Sequence, residues 1–401
     1  MTKRFLASSG ILLILAMLFM LAGCEENKYP DSLYNPNATF NASAEITAVD
    51  PPNLGLAGVT VITLTGKNFS PVLNENIVFF DAVKGTLLEG SETRLVVRAP
   101  IYTSDSCGIR VSVQGALLFS NKWKYKLEPA QTPLAAFTTA EQPWAITADA
   151  AGNVYTSLVV SNAGVGIKKI TPEGVMGDYS PKGGETKYSA MKMGPGGVIY
   201  AVRIAKAIFT IPAAGEKPVT WVTAGLGTIY DLDFDANKNI WGVGNNTDIY
   251  RVKQDKSVAK FPFTADLRSV RVFNGHVYVA GKKDGAEKIW RFPLNGEELG
   301  AVEEYFDFSA KVSSEYSVYC ITFSADGYMY VGTNAPQALY LVHPGGNFEV
   351  LYPGQFLPKA LVFAWGAGTT LCYTREATAA NPQTIIRLNT LKQSAPYYGI
   401  L

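Results

Sequence analysis

The chain has 401 residues, with 35 Lys and Arg against 34 Asp and Glu, so its net charge is +1. Charged residues make up 17%, below the usual quarter or so, and no basic stripe runs along any segment, which excludes a nucleic-acid partner of the ordinary electrostatic kind. Aromatics at 12% and 37 glycines suit many short strands joined by tight turns.

At the start, Lys3 and Arg4 precede an apolar run from Ile11 to Leu21, which ends in Leu21-Ala22-Gly23-Cys24. A cationic start, a short apolar core and small residues before a cut make a secretory signal over residues 1–23. The run is too short for a comfortable membrane span, which needs roughly 20 residues. Leu21 to Cys24 resembles a lipobox, which implies acylation of Cys24 and cleavage before it; an ordinary signal with a coincidental cysteine is the competing reading. Residues 24–43, rich in Asn and Pro, read as a flexible tether. Glu25 and Glu26 resemble the surface-export signal of Bacteroidetes lipoproteins. That resemblance implies an outer-membrane or cell-surface location, membrane contact through the lipid anchor only, and an outer-membrane protein as a partner.

Residues 44–128 carry strand signals in series. Val59–Leu64 alternates, with Val59, Val61 and either Ile62 or Leu64 inward, and Gly66 is expected to break that strand as a turn or a bulge. Asn76–Phe80 and Arg94–Arg98 follow, the second stopped by Pro100, which has no N–H to donate. Ile109, Val111 and Val113 share one face of the next strand, and Trp123, Tyr125 and Leu127 share one face of the last, with Lys122, Lys124 and Lys126 outward. The order of Ile46, Pro51, Gly58, Thr60, Leu64, Gly66, Asn68, Phe69, Val78, Phe80, Pro100, Val111, Val113 and Tyr125 resembles the IPT/TIG immunoglobulin-like family. The resemblance implies a spacer or interaction module.

From 133 to 401 one unit recurs six times: an alternating strand, a turn with Gly, Asn or Asp, a strand with an aromatic, then a third strand. The aromatics are Tyr155, Tyr200, Trp241, Tyr278, Tyr330 and Tyr373. A period of roughly 40–50 residues made of strands alone is the signature of propeller blades. A single blade cannot cover both of its faces, whereas a ring of blades does. The Gly-Asn-Val-Tyr155 and Asp326-Gly-Tyr-Met-Tyr330 turns resemble NHL and gluconolactonase-type six-bladed propellers. The expected fold is therefore all-β, an immunoglobulin-like β-sandwich followed by a six-bladed β-propeller. Closure is expected from Pro133–Thr139 as outer strand of the last blade, with Ala395–Leu401 as the competing source.

Little in the composition points to catalysis. Only His276 and His343 exist, both in turn-like contexts, and no Gly-x-Ser-x-Gly elbow is present. Cys107, Cys320 and Cys372 sit among apolar residues without CxxC spacing, so they read as small buried side chains, with no cofactor or metal implied. Asp231, Asp233 and Asp235 alternate along one strand and point the same way. They read either as solvated or turn-forming groups or as oxygen ligands for a divalent ion. Gluconolactonase-type propellers hold such an ion with acidic residues from several blades, but none is repeated here at matching positions. The starts of the innermost strands bring Trp144, Tyr188, Tyr230, Arg268, Tyr319 and Lys359 toward one rim of the channel. Aromatic faces with a few polar groups would suit a sugar ring, and the same rings would equally serve as packing between blades. Together these features favour a binding protein over an enzyme: an envelope lipoprotein taking an extracellular ligand such as a polysaccharide through its propeller, with the IPT/TIG domain as spacer. A metal-dependent propeller hydrolase or lyase and a protein-interaction scaffold are the alternatives.

Overall fold

The computed structural model describes residues 39–366 and 368–397. Cys24, the signal and most of the tether lie outside the described residues.

Two sheets form the first domain. One orders Glu45–Asp50, Val61–Lys67, Arg94–Arg98 and Thr86–Gly90; the other orders Leu54–Leu56, Trp123–Glu128, Ser104–Val113, Asn76–Phe80 and Val83–Lys84. Their inner faces meet through Ile62, Leu64, Val78, Phe80, Val97, Ile109, Val111, Tyr125 and Leu127. One local expectation needs correction and another is narrowed. The inward set of Val61–Lys67 is Ile62 and Leu64, while Val61 is exposed, so the alternation runs one residue out of phase with Val59 and Val61. Gly66 does not end that strand as a turn would; it marks the bulge alternative, since the pairing shifts register between Ile46 and Ala48 opposite it. It lies inside the strand opposite Ile46, and a Cβ there would sit 2.0 Å from the Glu45 carbonyl oxygen, so glycine permits the two strands to close up.

Six four-stranded blades follow. Blades I and II run from Glu141–Ala148 to Met176–Ser180 and from Ala190–Met193 to Val219–Val222. Blade III begins at Asp231–Phe234. Its outer strand is the first part of Val258–Phe273, whose second part becomes the inner strand of blade IV, so these two blades share one continuous sheet. Blade V spans Val318–Phe323 to Phe348–Val350. Blade VI combines Ala360–Trp365, Thr370–Arg375 and Thr384–Asn389 with Gln131–Pro133, paired Thr132 to Arg387. Closure thus comes from the N-terminal side, through 131–134, with Leu134 N–H donating to the Ile385 carbonyl at 2.8 Å. Past Leu134 the chain leaves the sheet, and Phe137 packs between blades VI and I instead. The C-terminal segment turns to blade V, where Ala395 N–H donates to the Phe323 carbonyl.

The six recurring aromatics all lie buried on second strands. Three reach the tip of the next blade's inner strand: Tyr200 to Phe234, Tyr278 to Phe323 and Tyr330 to Trp365, with centroids 4.6–5.1 Å apart. A turn carboxylate aims two of the others. Asp149 accepts from the Asn153 backbone and side chain and from the Tyr155 hydroxyl, and Asp235 does the same for Asn239 and the Trp241 indole N–H. One short Asp-x-x-x-Asn-x-aromatic pattern therefore closes the hairpin and aims a ring that meets its own blade's outer strand, Tyr155 on Tyr179 and Trp241 on Phe261, within clusters that include residues of the next blade.

Candidate functional site: the axial channel

All six inner strands run the same way, so the channel has a start mouth and an end mouth. At the end mouth lies a cavity of about 600 Å³, reached by residues from every blade: Thr147, Lys192, Asp233, Phe273, Thr322 and Trp365 among them. Pro396 and Tyr397 close one side of it. Tyr397 is held by its hydroxyl, which pairs with Thr322 Oγ1 at 3.0 Å and accepts from Phe323 N–H at 3.2 Å.

The channel floor is charged. Arg271 is fully buried and donates to Asp231 Oδ2 at 2.8 Å; that same oxygen accepts from Ser269 Oγ and Val270 N–H, and Oδ1 accepts from Leu232 N–H. The Asp231 carboxylate is thereby fully used, whereas Arg271 Nε is buried without a hydrogen-bond partner. Asp233 is used less fully, with Oδ2 accepting from Val272 N–H at 2.9 Å. Burial raises its carboxyl above the usual range, against the pull of Lys192 and Arg271. Lys192, half-buried in the strand Ala190–Met193, faces the same space; burial and then Arg271 lower its amine to about 8, while Asp233 and Asp231 hold it up. The three aspartates are thus neither solvated nor equivalent. Asp231 neutralises an arginine, Asp233 faces the cavity, and Asp235 caps a hairpin. Among the described residues no group of three His, Cys, Asp or Glu converges as a metal site.

The expected ligand residues lie at the other mouth, each two to four positions upstream of the cavity on its own strand, which is roughly 7–13 Å at strand rise. Some of them meet. Lys359 Nζ stands 4.1 Å from the Tyr319 ring centroid with Arg268 5.8 Å from the same ring, and Lys187 stands 3.0 Å over Trp144. Lys359 pairs with Glu376 at 3.3 Å, and Arg268 with Asp266 and Glu287. The rings of Trp144 and Tyr319 are therefore covered by cations of the same chain. Tyr188 is buried and packs on Phe209, while Tyr230 is half-buried. Cys107, Cys320 and Cys372 are free thiols, all buried. His276 opens the strand His276–Lys283 rather than lying in the turn before it and contacts the Asn274 carbonyl, while His343 follows the strand Leu339–Val342 and contacts Glu349; both are half-buried.

Lys192 and Arg271 were not singled out by the sequence. Each is a lone cation between apolar neighbours, in Met-Lys-Met and Val-Arg-Val, and that placement within a strand apolar on both faces is the signal available.

Residues 44–126 match the IPT/TIG domain family. No curated protein matches the chain. Among solved structures, a protein of unknown function from Bacteroides thetaiotaomicron is 13% identical with a TM-score of 0.52, covering 88% of this chain and 99% of that one. An auxiliary nutrient binding protein from the same organism is 10% identical with a TM-score of 0.52, covering 88% and 98%. A gluconolactonase from Xanthomonas campestris is 12% identical with a TM-score of 0.51, covering 64% and 88%. At such identities the likeness is one of fold.

Proposed function

We propose that this chain is an envelope lipoprotein, anchored through Cys24 at the outer membrane or cell surface, whose propeller binds an extracellular sugar ligand. The IPT/TIG domain stands between membrane and propeller as a spacer. The observation that carries the reading is the end-mouth cavity: about 600 Å³, walled by aromatic rings and floored by Lys192 and Asp233. That volume lies in the range of small-ligand sites, roughly 300–1,000 Å³. It suits one or two sugar rings, hence the end of a polysaccharide or a short oligosaccharide. A hydroxyl needs both a donor and an acceptor, and an amine beside an underused carboxylate supplies both; the half-buried rings of Phe273 and Tyr397 in the cavity wall are where the sugar's C–H surface would pack. The fold is shared with an auxiliary nutrient binding protein, a role of the same kind.

The test is glycan-array binding by the soluble form from Glu25 onward, followed by calorimetry on any retained sugar. Lys192→Met is expected to weaken binding at least tenfold, while Trp144→Ala and Tyr319→Ala leave it within twofold. Loss of binding in the latter pair would move the site to the start mouth, and no retained glycan would end the sugar reading. Separately, Cys24→Ala should release the chain from the membrane fraction.

A further inference from the structure

Among the described residues, exposed large apolar side chains are scattered singly, with one exception. Leu117, Leu118 and Phe119 stand consecutively with exposures of 68%, 66% and 51%. Such a run on a soluble surface marks a contact site. The turn that carries it is firmly built. Ala116 N–H donates to the Val113 carbonyl at 3.1 Å, Ser120 N–H to the Val111 carbonyl at 2.8 Å, and Phe119 rests edge-on against Phe79 at 5.8 Å. The three side chains are thus presented outward by an ordered loop.

Its place in the domain narrows the occupant. Asn41 N–H donates to the Gly115 carbonyl at 2.8 Å and Asn41 Nδ2 to the Gln114 carbonyl at 3.2 Å, so the loop lies where the chain enters the sandwich, beside the exposed Phe40. Glu45 pairs with Lys67 toward this end, whereas Val61 pairs with Arg98 at the opposite end, where the Ala57 carbonyl accepts from Gln355 of the propeller. The apolar loop and the chain entry therefore share the end remote from the propeller. Cations border it: Lys84 lies 5.9 Å from the Phe79 ring, and Lys122 and Lys124 are exposed. Only sixteen residues, 25–40, separate Cys24 from Asn41. Fully extended they reach about 55 Å at most, and a relaxed chain far less.

We infer that Leu117, Leu118 and Phe119 insert into the interfacial layer of the same bilayer that holds the lipid on Cys24, a second contact beyond the anchor. The inference rests on the anchoring reading above. Apolar tips flanked by amines are the chemistry of an interfacial segment, with side chains at the acyl boundary and ammonium groups at the headgroup phosphates. A tether plus a docked loop fixes the sandwich upright and holds the propeller away from the lipid.

The full-length chain with Leu118→Cys, nitroxide-labelled and reconstituted into phosphatidylcholine–phosphatidylglycerol vesicles, tests this directly. The native thiols at 107, 320 and 372 are buried and Cys24 is taken by lipid on the anchoring reading, so labelling is selective. Collisions with oxygen are expected to exceed those with a water-soluble nickel chelate, the reverse of a label at Val175→Cys on the propeller. A chain that floats with vesicles while its loop label reports water overturns the inference and spares the anchor. A chain that does not float overturns both. A label shielded from both reagents indicates self-association through the loop and also overturns it.

Discussion

The two mouths of the channel are built from the same six strands yet differ in how their polar groups are spent. At the start mouth nearly every cation has a home: Arg268 on two carboxylates, Lys359 on Glu376, Lys187 on the face of Trp144. At the end mouth the Asp231 carboxylate is fully used by Arg271 and its neighbours, but Lys192 and Asp233 face a cavity with bonding capacity left over. The cations at one end of the axis are thus spent on cohesion, although Trp144 Nε1 there is buried without a partner, while an amine and a carboxylate at the other end stay available. The contrast teaches that a rim rich in aromatics is not by itself a binding surface; what matters is whether its ring faces are already covered by the chain's own cations.

The sharpest way to break this comparison is through the buried pair. Arg271→Met leaves the Asp231 carboxylate without its counter-charge in a site closed to water. Removing one partner of such a pair costs about 3–5 kcal/mol, because the remaining charge stays desolvated. Denaturant unfolding should show that loss, and Asp231→Asn combined with Arg271→Met should recover part of it. A single variant as stable as the parent would mean that the channel floor is not the closed structural unit described.

Lys192 gives a smaller effect with a distinctive pH signature. Its amine titrates near 8 in the folded chain and at roughly 10.4 when unfolded. Between those values the unfolded chain binds more protons, so stability gains from this residue as pH rises from about 8 to 10.4, and the burden of burying the charge is full below 8. Lys192→Met removes that dependence. Denaturation of both proteins at pH 7, 8, 9 and 10 should show the parent gaining on the variant across the upper half of the range. A flat difference would show that the amine is solvated rather than held in the cavity.

How much of this was legible beforehand follows the same division. The blades were readable because a turn followed by a second-strand aromatic recurs six times, reinforced in two hairpins by Asp149-Asn153-Tyr155 and Asp235-Asn239-Trp241, and because the repeat imposes a ring. The sandwich was readable from alternation in Ile109, Val111 and Val113, although Val61–Lys67 slipped by one residue where Val61 and Ile62 are both apolar. The cavity was not readable. Which end of a strand opens into free space depends on how far neighbouring blades splay and where Pro396 and Tyr397 return, and neither is encoded in any one repeat. Nor does the sequence order reveal that Lys187, immediately before Tyr188, lies over Trp144 of the preceding blade.

That last contact supplies the finest discrimination between the mouths. Lys187 is half-buried with its amine 3.0 Å from the Trp144 ring centroid, and burial lowers its pKa against the pull of Glu376. A cation over an indole in such a setting contributes about 0.5–2 kcal/mol. Lys187→Met keeps the length of the side chain and much of its packing while removing the charge, so it should lower stability by about 1 kcal/mol. Because the contact holds blades I and II together without facing the cavity, sugar affinity should change by less than twofold. An affinity loss comparable to that of Lys192→Met, at unchanged stability, would invert the assignment, since it would mean that the amine is reserved for a ligand and that the indole face beneath it is free to be used.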